Sequence, residues 1–308
     1  MAASMTLTGV VTALFNASLF VMIVTLVMSL GMGFTVAQVL APLRRWGVVG
    51  SALIINVLLV PLVAIGLAKL FPITSQQAVG LVLVCIASAG PAGLKAAELA
   101  KRADMALAVS LVIVLQLVNI VAAPLWAQAV VTGATVSAVT IIEDLLLLVL
   151  IPLIVGLVGH ARYADHAVAW KAGLEKISNI SLYIAIVAGI AVNWKDIVSL
   201  LGSWVLVAAT LMILVFMGMG AMVGLIGSTS GPTAISSAMV TGMRFQPIGL
   251  IIITTQLGGN GAYLAPALVF ALIDTFLMFG IGIELGRRGK AKTEGGRPQG
   301  AASSTPAA

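Results

Sequence analysis

The chain of 308 residues is 61% hydrophobic and only 8% charged, against about 25% charged in soluble domains. With a mean hydropathy of +1.18, this composition excludes an ordinary soluble enzyme, and equally a disordered chain, which is poor in apolar residues. The single cysteine, Cys85, excludes a disulfide framework and a cysteine-based metal site, and much of the formal charge of +6 comes from a C-terminal run of Arg287, Arg288, Lys290, Lys292 and Arg297 against Glu294, a membrane-topology signal rather than a nucleic-acid surface.

A membrane-spanning helix needs about 20 apolar residues. Windows of that length give nine spans, at roughly 11–34, 46–70, 78–100, 105–129, 138–160, 174–194, 203–226, 233–257 and 262–286. No basic residue precedes Arg44, so no secretory signal peptide is expected and the first span is read as retained. Arg44 and Arg45 follow the first span, Lys101 and Arg102 the third, Arg162 and Lys171 the fifth, and the basic run the ninth. The loops after the second, fourth and eighth spans carry no basic residue at their centres; Lys195 after the sixth is offset by Asp196, and 227–233 after the seventh is uncharged. Cytoplasmic loops are enriched in Lys and Arg, so this alternation predicts an outside N-terminus and a cytoplasmic C-terminus in the cell (inner) membrane. Trp46, Trp126, Trp170, Trp194 and Trp204 all fall at span ends or in loops, where an indole N–H stays wet. The expected organisation is a short N-terminal tail (1–10), a transmembrane domain (11–286) and a disordered basic tail (287–308) of small and polar residues.

Two spans are interrupted. The third contains Ser88-Ala-Gly-Pro-Ala-Gly93 and the eighth contains Thr241-Gly-Met-Arg-Phe-Gln-Pro247. Proline removes a backbone donor and clashes with the preceding turn, and backbone groups freed in this way must face protein or a water-filled cavity rather than lipid. Simple kinks are one reading. The other starts from the spacing: the breaks lie five spans apart, as they would in two inverted five-helix repeats lacking the first helix of the first repeat. Interrupted spans at matching positions of inverted halves point to a transporter's binding site. This nominates Pro91 and Gly93 at the first break, and Gln246 at the second.

A charge at the bilayer centre costs roughly 2.5–3.5 kcal/mol on the mildest scale, so Arg244 and Asp274, at matching depths in the eighth and ninth spans, require a reason. They could form a buried pair that pins two helices. Alternatively, Arg244 anchors a carboxylate substrate bidentately, with Asp274 holding the guanidinium between substrates or carrying a proton. Lys95 and Glu98 share a helix face three residues apart, and either snorkel to water as a pair or offer Lys95 as an internal cation. Asn56, Gln116, Asn119, Gln246, Gln256 and Asn260 either join helices or line a path. No His-Glu-x-x-His motif is present and no aspartate is placed to pair catalytically with Asp274, so neither an enzyme nor a resident cofactor is expected.

The stretch from Ser29 to Trp126 resembles the bile acid:sodium symporter family. The resemblance rests on Gly31-Met-Gly-Phe-Thr35, Asn56-Val-Leu-Leu-Val-Pro61, the Gly90-Pro91 break, Lys101-Arg-Ala-Asp-Met-Ala-Leu-Ala-Val109 and, further on, Thr241-Gly-Met243. It implies an all-α membrane protein of nine transmembrane helices with an inverted-repeat transporter fold, a panel domain and a core domain, and two broken helices that cross beside the substrate site. It also implies a secondary transporter of a small organic anion working by alternating access in a lipid bilayer. Sodium-coupled relatives hold the ion with a glutamate, a glutamine and hydroxyl or amide groups. Here those positions carry Val240, Arg244, Phe245, Ala108 and Val112, with Asn56 matching an amide ligand and Leu94-Lys95-Ala96-Ala97 replacing a Ser-Asn pair. Coupling-ion candidates are therefore Asn56, Lys95, Glu98, Thr241 and Met243, and substrate candidates are Arg244, Asp274, Pro91, Gly93, Gln246 and Asn260. Sodium dependence is expected to be weak or absent. A sodium-independent uniporter or channel, or a proton-coupled carrier, is the alternative on the same scaffold.

Overall fold

The computed structural model describes residues 7–131, 136–226 and 231–294. The predicted N-terminal tail as far as residue 6, part of the 227–233 loop and the predicted disordered tail from residue 295 lie outside the described residues. Regular structure among the described residues is helical throughout: α1 (Leu7–Met32), α2 (Trp46–Leu70), α3 (Ser75–Ile86), α4 (Ala92–Leu99), α5 (Met105–Val130), α6 (Ala138–Arg162), α7 (Ala164–Val192), α8 (Trp204–Ile226), α9 (Gly231–Gly242), α10 (Gln246–Gln256) and α11 (Gly261–Glu294). Eight stretches are long and apolar enough to cross a membrane, with α9 and α10 together counting as one. The predicted third span is formed by α3 and α4, each too short to cross alone.

The sixth predicted span begins ten residues earlier than its hydropathy does, at Ala164 rather than 174. The added turns carry Asp165, His166 and Lys171, which the hydropathy window excludes. They remain helical because nothing there breaks the chain and Lys171 pairs with Glu175 one turn on, at 3.7 Å.

Two of the long helices contain a wider π turn, Ile54–Leu59 in α2 and Leu146–Leu150 in α6, each just ahead of a proline, Pro61 or Pro152. A proline ring displaces the carbonyl four residues back and gives it no donor. In α2 that carbonyl belongs to Val57, and it accepts from the indole N–H of Trp126 at 2.8 Å. The indole of Trp126 therefore satisfies a freed backbone group, instead of facing headgroup water as its place near a span end suggested.

The helices sort into two bodies. α1 packs along α7 and α6 as a three-helix layer; α3, α4, α5, α8, α9, α10 and α11 pack around one another, with α2 against α3 and α8. Within the layer, α1 and α6 touch backbone to backbone: a Cβ on Gly31 would lie 2.5 Å from the Leu153 carbonyl oxygen. Such small-residue contacts hold helices together where lipid supplies no hydrophobic drive. The bodies meet through α5 with α6, α1 with α10 and α7 with α11.

Candidate functional site at the crossing of the broken helices

The break between α3 and α4 runs through Ala87–Pro91. Ala89 adopts a left-handed conformation with φ +44°, at a cost of about 1–2 kcal/mol for a non-glycine residue. Two side chains of α5, three residues apart and so on one face, hold it there. Asn119 accepts from the backbone N–H of Ser88 at 3.1 Å and from its hydroxyl at 2.6 Å, and its own amide donates to the Ser88 carbonyl at 2.8 Å. Gln116 donates to the Ala89 carbonyl at 2.9 Å. Each such bond contributes about 0.5–1.5 kcal/mol net, enough together to offset the strain. Of the two roles the sequence allows Gln116 and Asn119, joining helices or lining a path, these bonds are the joining one.

The second break, between α9 and α10, lies directly against the first. Gly90 N–H donates to the Met243 carbonyl and Phe245 N–H to the Ala87 carbonyl, both at 3.2 Å, so the two extended segments satisfy each other's freed groups. Gly90 permits this close approach, since a Cβ there would lie 3.0 Å from the Arg244 carbonyl oxygen, tighter than an ordinary contact. Pro91 and Gly93 open α4 and are buried, Gly93 lying against Met239 and Val240 of α9.

Arg244 is completely buried. Its guanidinium donates to the Cys85 carbonyl from Nε at 3.0 Å and Nη2 at 2.7 Å, to Asn56 Oδ1 from Nη1 at 2.9 Å, and more distantly to the Thr241 carbonyl at 3.5 Å. Asn56 sits on the π turn of α2, and its amide nitrogen donates to the Ala52 carbonyl at 3.0 Å and the Thr241 hydroxyl at 2.9 Å. The Phe216 ring centroid lies 5.9 Å from the guanidinium carbon.

Asp274 is also completely buried, but it does not meet the guanidinium as the shared depth suggested. Its Oδ2 accepts from the backbone N–H of Arg244 at 3.1 Å and from the side-chain amide of Gln246, while Oδ1 has no partner. The reason is local. α3 stops at Ile86, which leaves the Cys85 carbonyl unpaired at the negative end of a helix, and a cation is drawn to that end. Three further candidates are exposed instead of buried at the crossing. Lys95 and Glu98 pair with each other at 3.7 Å on an exposed face. Asn260 is exposed and accepts from Ala262 N–H at the start of α11.

A cavity of about 60 Å³ separates the three-helix layer from the crossing, walled by Phe15 and Met22 of α1, Ile186 of α7, Gln246 of α10 and Leu272 and Thr275 of α11, among others. Gln246 links it to Asp274; Arg244 is not part of its wall. Phe216 and the Cys85 carbonyl were missed by sequence reasoning: the first looks like any apolar residue of a span, and a backbone carbonyl leaves no signature in residue type.

A sequence model of the sodium bile acid symporter family matches residues 19–200, which takes in the first break and Asn56 and ends before α8. A search of curated proteins returned no match.

Proposed function

This chain belongs to the sodium bile acid symporter family, being matched over more than half its length, and as a symporter-like transporter in the membrane it moves a small substrate; we propose that this substrate is an amphipathic organic anion, carried by alternating access. The observation that carries the reading is the cavity between the two bodies, apolar apart from Gln246 and Thr275. Its walls suit an apolar body. Its polar corner is the start of α10, where a helix dipole favours negative charge and where Gln246 is now held by Asp274. A substrate carboxylate would compete with Asp274 for Gln246. Arg244, just ahead of α10 and with its donors on carbonyl and amide oxygens, adds positive potential rather than contact. At about 60 Å³ the cavity has room for a few water molecules, so a larger substrate requires the three-helix layer to move from the larger body. The five-span interval between the breaks supports that movement as one between halves of an inverted repeat.

The test is uptake into proteoliposomes of a radiolabelled steroid carboxylate and of a short keto acid. Gln246→Leu should lower uptake of the accepted anion at least about tenfold, the cost of one lost charge-assisted bond of about 1.5 kcal/mol or more. Uptake at the wild-type rate in the folded variant would remove Gln246 from the substrate site.

The basic loops favour an outside N-terminus and a cytoplasmic C-terminus in the cell (inner) membrane. Cys85 is buried, so background labelling is low. A cysteine at the exposed Ser75 should react with an impermeant reagent in intact cells, and one at Arg288 only after permeabilisation; equal reaction at both from outside would invert or discard this topology.

A further inference from the structure

We propose that Arg244 is a tethered cation: its guanidinium occupies an oxygen-lined site between α2, α3 and α9 that suits a monovalent metal ion, and it supplies the positive charge there permanently.

The donor set is the first argument. An arginine beside a buried carboxylate normally takes it bidentately. Here the carboxylate of Asp274 is close enough to accept from the backbone N–H of Arg244, yet the guanidinium faces the Cys85 carbonyl, the Asn56 amide oxygen and, further off, the Thr241 carbonyl. Carbonyl and amide oxygens are the ligands of hard cations. Nor is the orientation of Asn56 free. Its amide nitrogen is committed to the Ala52 carbonyl and the Thr241 hydroxyl, which leaves its oxygen for the cage.

Position is the second argument. Cys85 lies in the last turn of α3 and Thr241 in the last turn of α9. Two half-helices therefore direct their negative ends at one point, the arrangement by which broken transporter helices bind coupling cations. The third argument is charge. Arg244 and Asp274 are the completely buried charged side chains among the described residues, so the guanidinium is what neutralises the carboxylate. Without it, a mobile cation is the natural replacement.

A tethered cation cannot be released into the cytoplasm. The cycle therefore draws nothing from a sodium gradient, and the substrate gradient, membrane potential, a proton gradient or an exchanged anion must drive it. This consequence for transport rests on the carrier reading above; the ion-binding claim does not, and it is read on purified protein.

Thermal unfolding in detergent, with sodium chloride titrated against choline chloride at constant ionic strength, makes the measurement. The wild type should show no sodium-specific shift, and neither should Arg244→Lys, which keeps the charge. Arg244→Gln removes the charge and adds an amide oxygen to the cage, so it should gain a saturable, sodium-specific rise of about 5 °C. A sodium-specific rise in the wild type, or none in folded Arg244→Gln, overturns the proposal. Should Arg244→Gln fold poorly, its yield of monodisperse protein in sodium against choline reads the same dependence: higher yield in sodium supports the proposal, and equal yield overturns it. A sodium response in Arg244→Gln without uptake of any organic anion by the wild type would sink the carrier reading and leave the cation site standing.

Discussion

Asp274→Ala should destabilise the protein by about 3–5 kcal/mol, the range seen when one member of a buried charge pair is removed. Three losses combine. The guanidinium of Arg244 stays buried with no neutralising carboxylate, and the Arg244 N–H and the Gln246 amide lose the oxygen that accepts from both. Each unpaired buried donor costs about 1–3 kcal/mol, so the charge and hydrogen-bond estimates agree in scale. Asp274→Asn separates them. Its oxygen can still accept from both donors, so those two bonds survive; the charge is lost, and the amide nitrogen, standing where Oδ1 now has no partner, adds one unpaired buried group in place of the two donors that alanine strands. Thermal and denaturant unfolding in detergent should therefore rank wild type above Asp274→Asn, and Asp274→Asn above Asp274→Ala. An alanine variant within about 1 kcal/mol of wild type would mean that the start of α10 is held by something other than this carboxylate. The same series should separate stability from transport. If Asp274 competes with substrate for Gln246, the asparagine variant retains binding while its exchange rate or pH dependence changes.

Span positions were legible because a bilayer demands long apolar runs, and the nine windows coincide closely with the helices at α1, α2, α5 and α8. Both breaks were legible for the same kind of reason: Gly90-Pro91 and Pro247 remove donors or add freedom at places where a helix cannot otherwise stop. What the sequence hid was the partner of each freed group. Arg244 and Asp274 were found by their cost in a membrane, but matching depth says nothing about side-chain direction. The guanidinium turned to a carbonyl at the end of α3 that no residue letter encodes. Asn56 was picked out by resemblance; its geometry depends on a π turn just ahead of Pro61, which residue type alone does not announce. Lys95 and Glu98 were spaced to pair and do so at the surface. Asn260 was spaced as a polar residue of a span end and is exposed at the start of α11, where its side chain accepts from the Ala262 N–H.

The close approach of α3 and α10 gives the remaining large effect. Gly249 lies on α10 where a Cβ would be 2.5 Å from the Leu83 carbonyl oxygen and 2.7 Å from the Val84 Cα. These are backbone atoms, which cannot rotate aside as a flexible side chain would. Gly249→Ala should already force the two half-helices apart, at about 1–3 kcal/mol for an overpacked contact. Gly249→Leu should exceed that range, because its larger side chain starts from the same Cβ, already against the backbone of Leu83 and Val84 of α3. The displacement would be transmitted to the crossing a few residues away, where Gly90 and Phe245 depend on 3.2 Å bonds across the two breaks. A glycine, alanine, leucine series should therefore show stepwise loss of melting temperature together with stepwise loss of uptake. Gly80 and Gly261 cannot serve as controls, since each also lies in tight contact, whereas a Cβ at Gly218 or Gly280 would meet open space. Alanine at Gly218 or Gly280 should be neutral or slightly stabilising, as expected for an unhindered helical position. Gly249→Leu melting and transporting like the Gly218→Ala control would show that α10 is free to slide on α3, and the crossing would then be a flexible contact rather than the rigid frame that positions Arg244, Gln246 and Asp274.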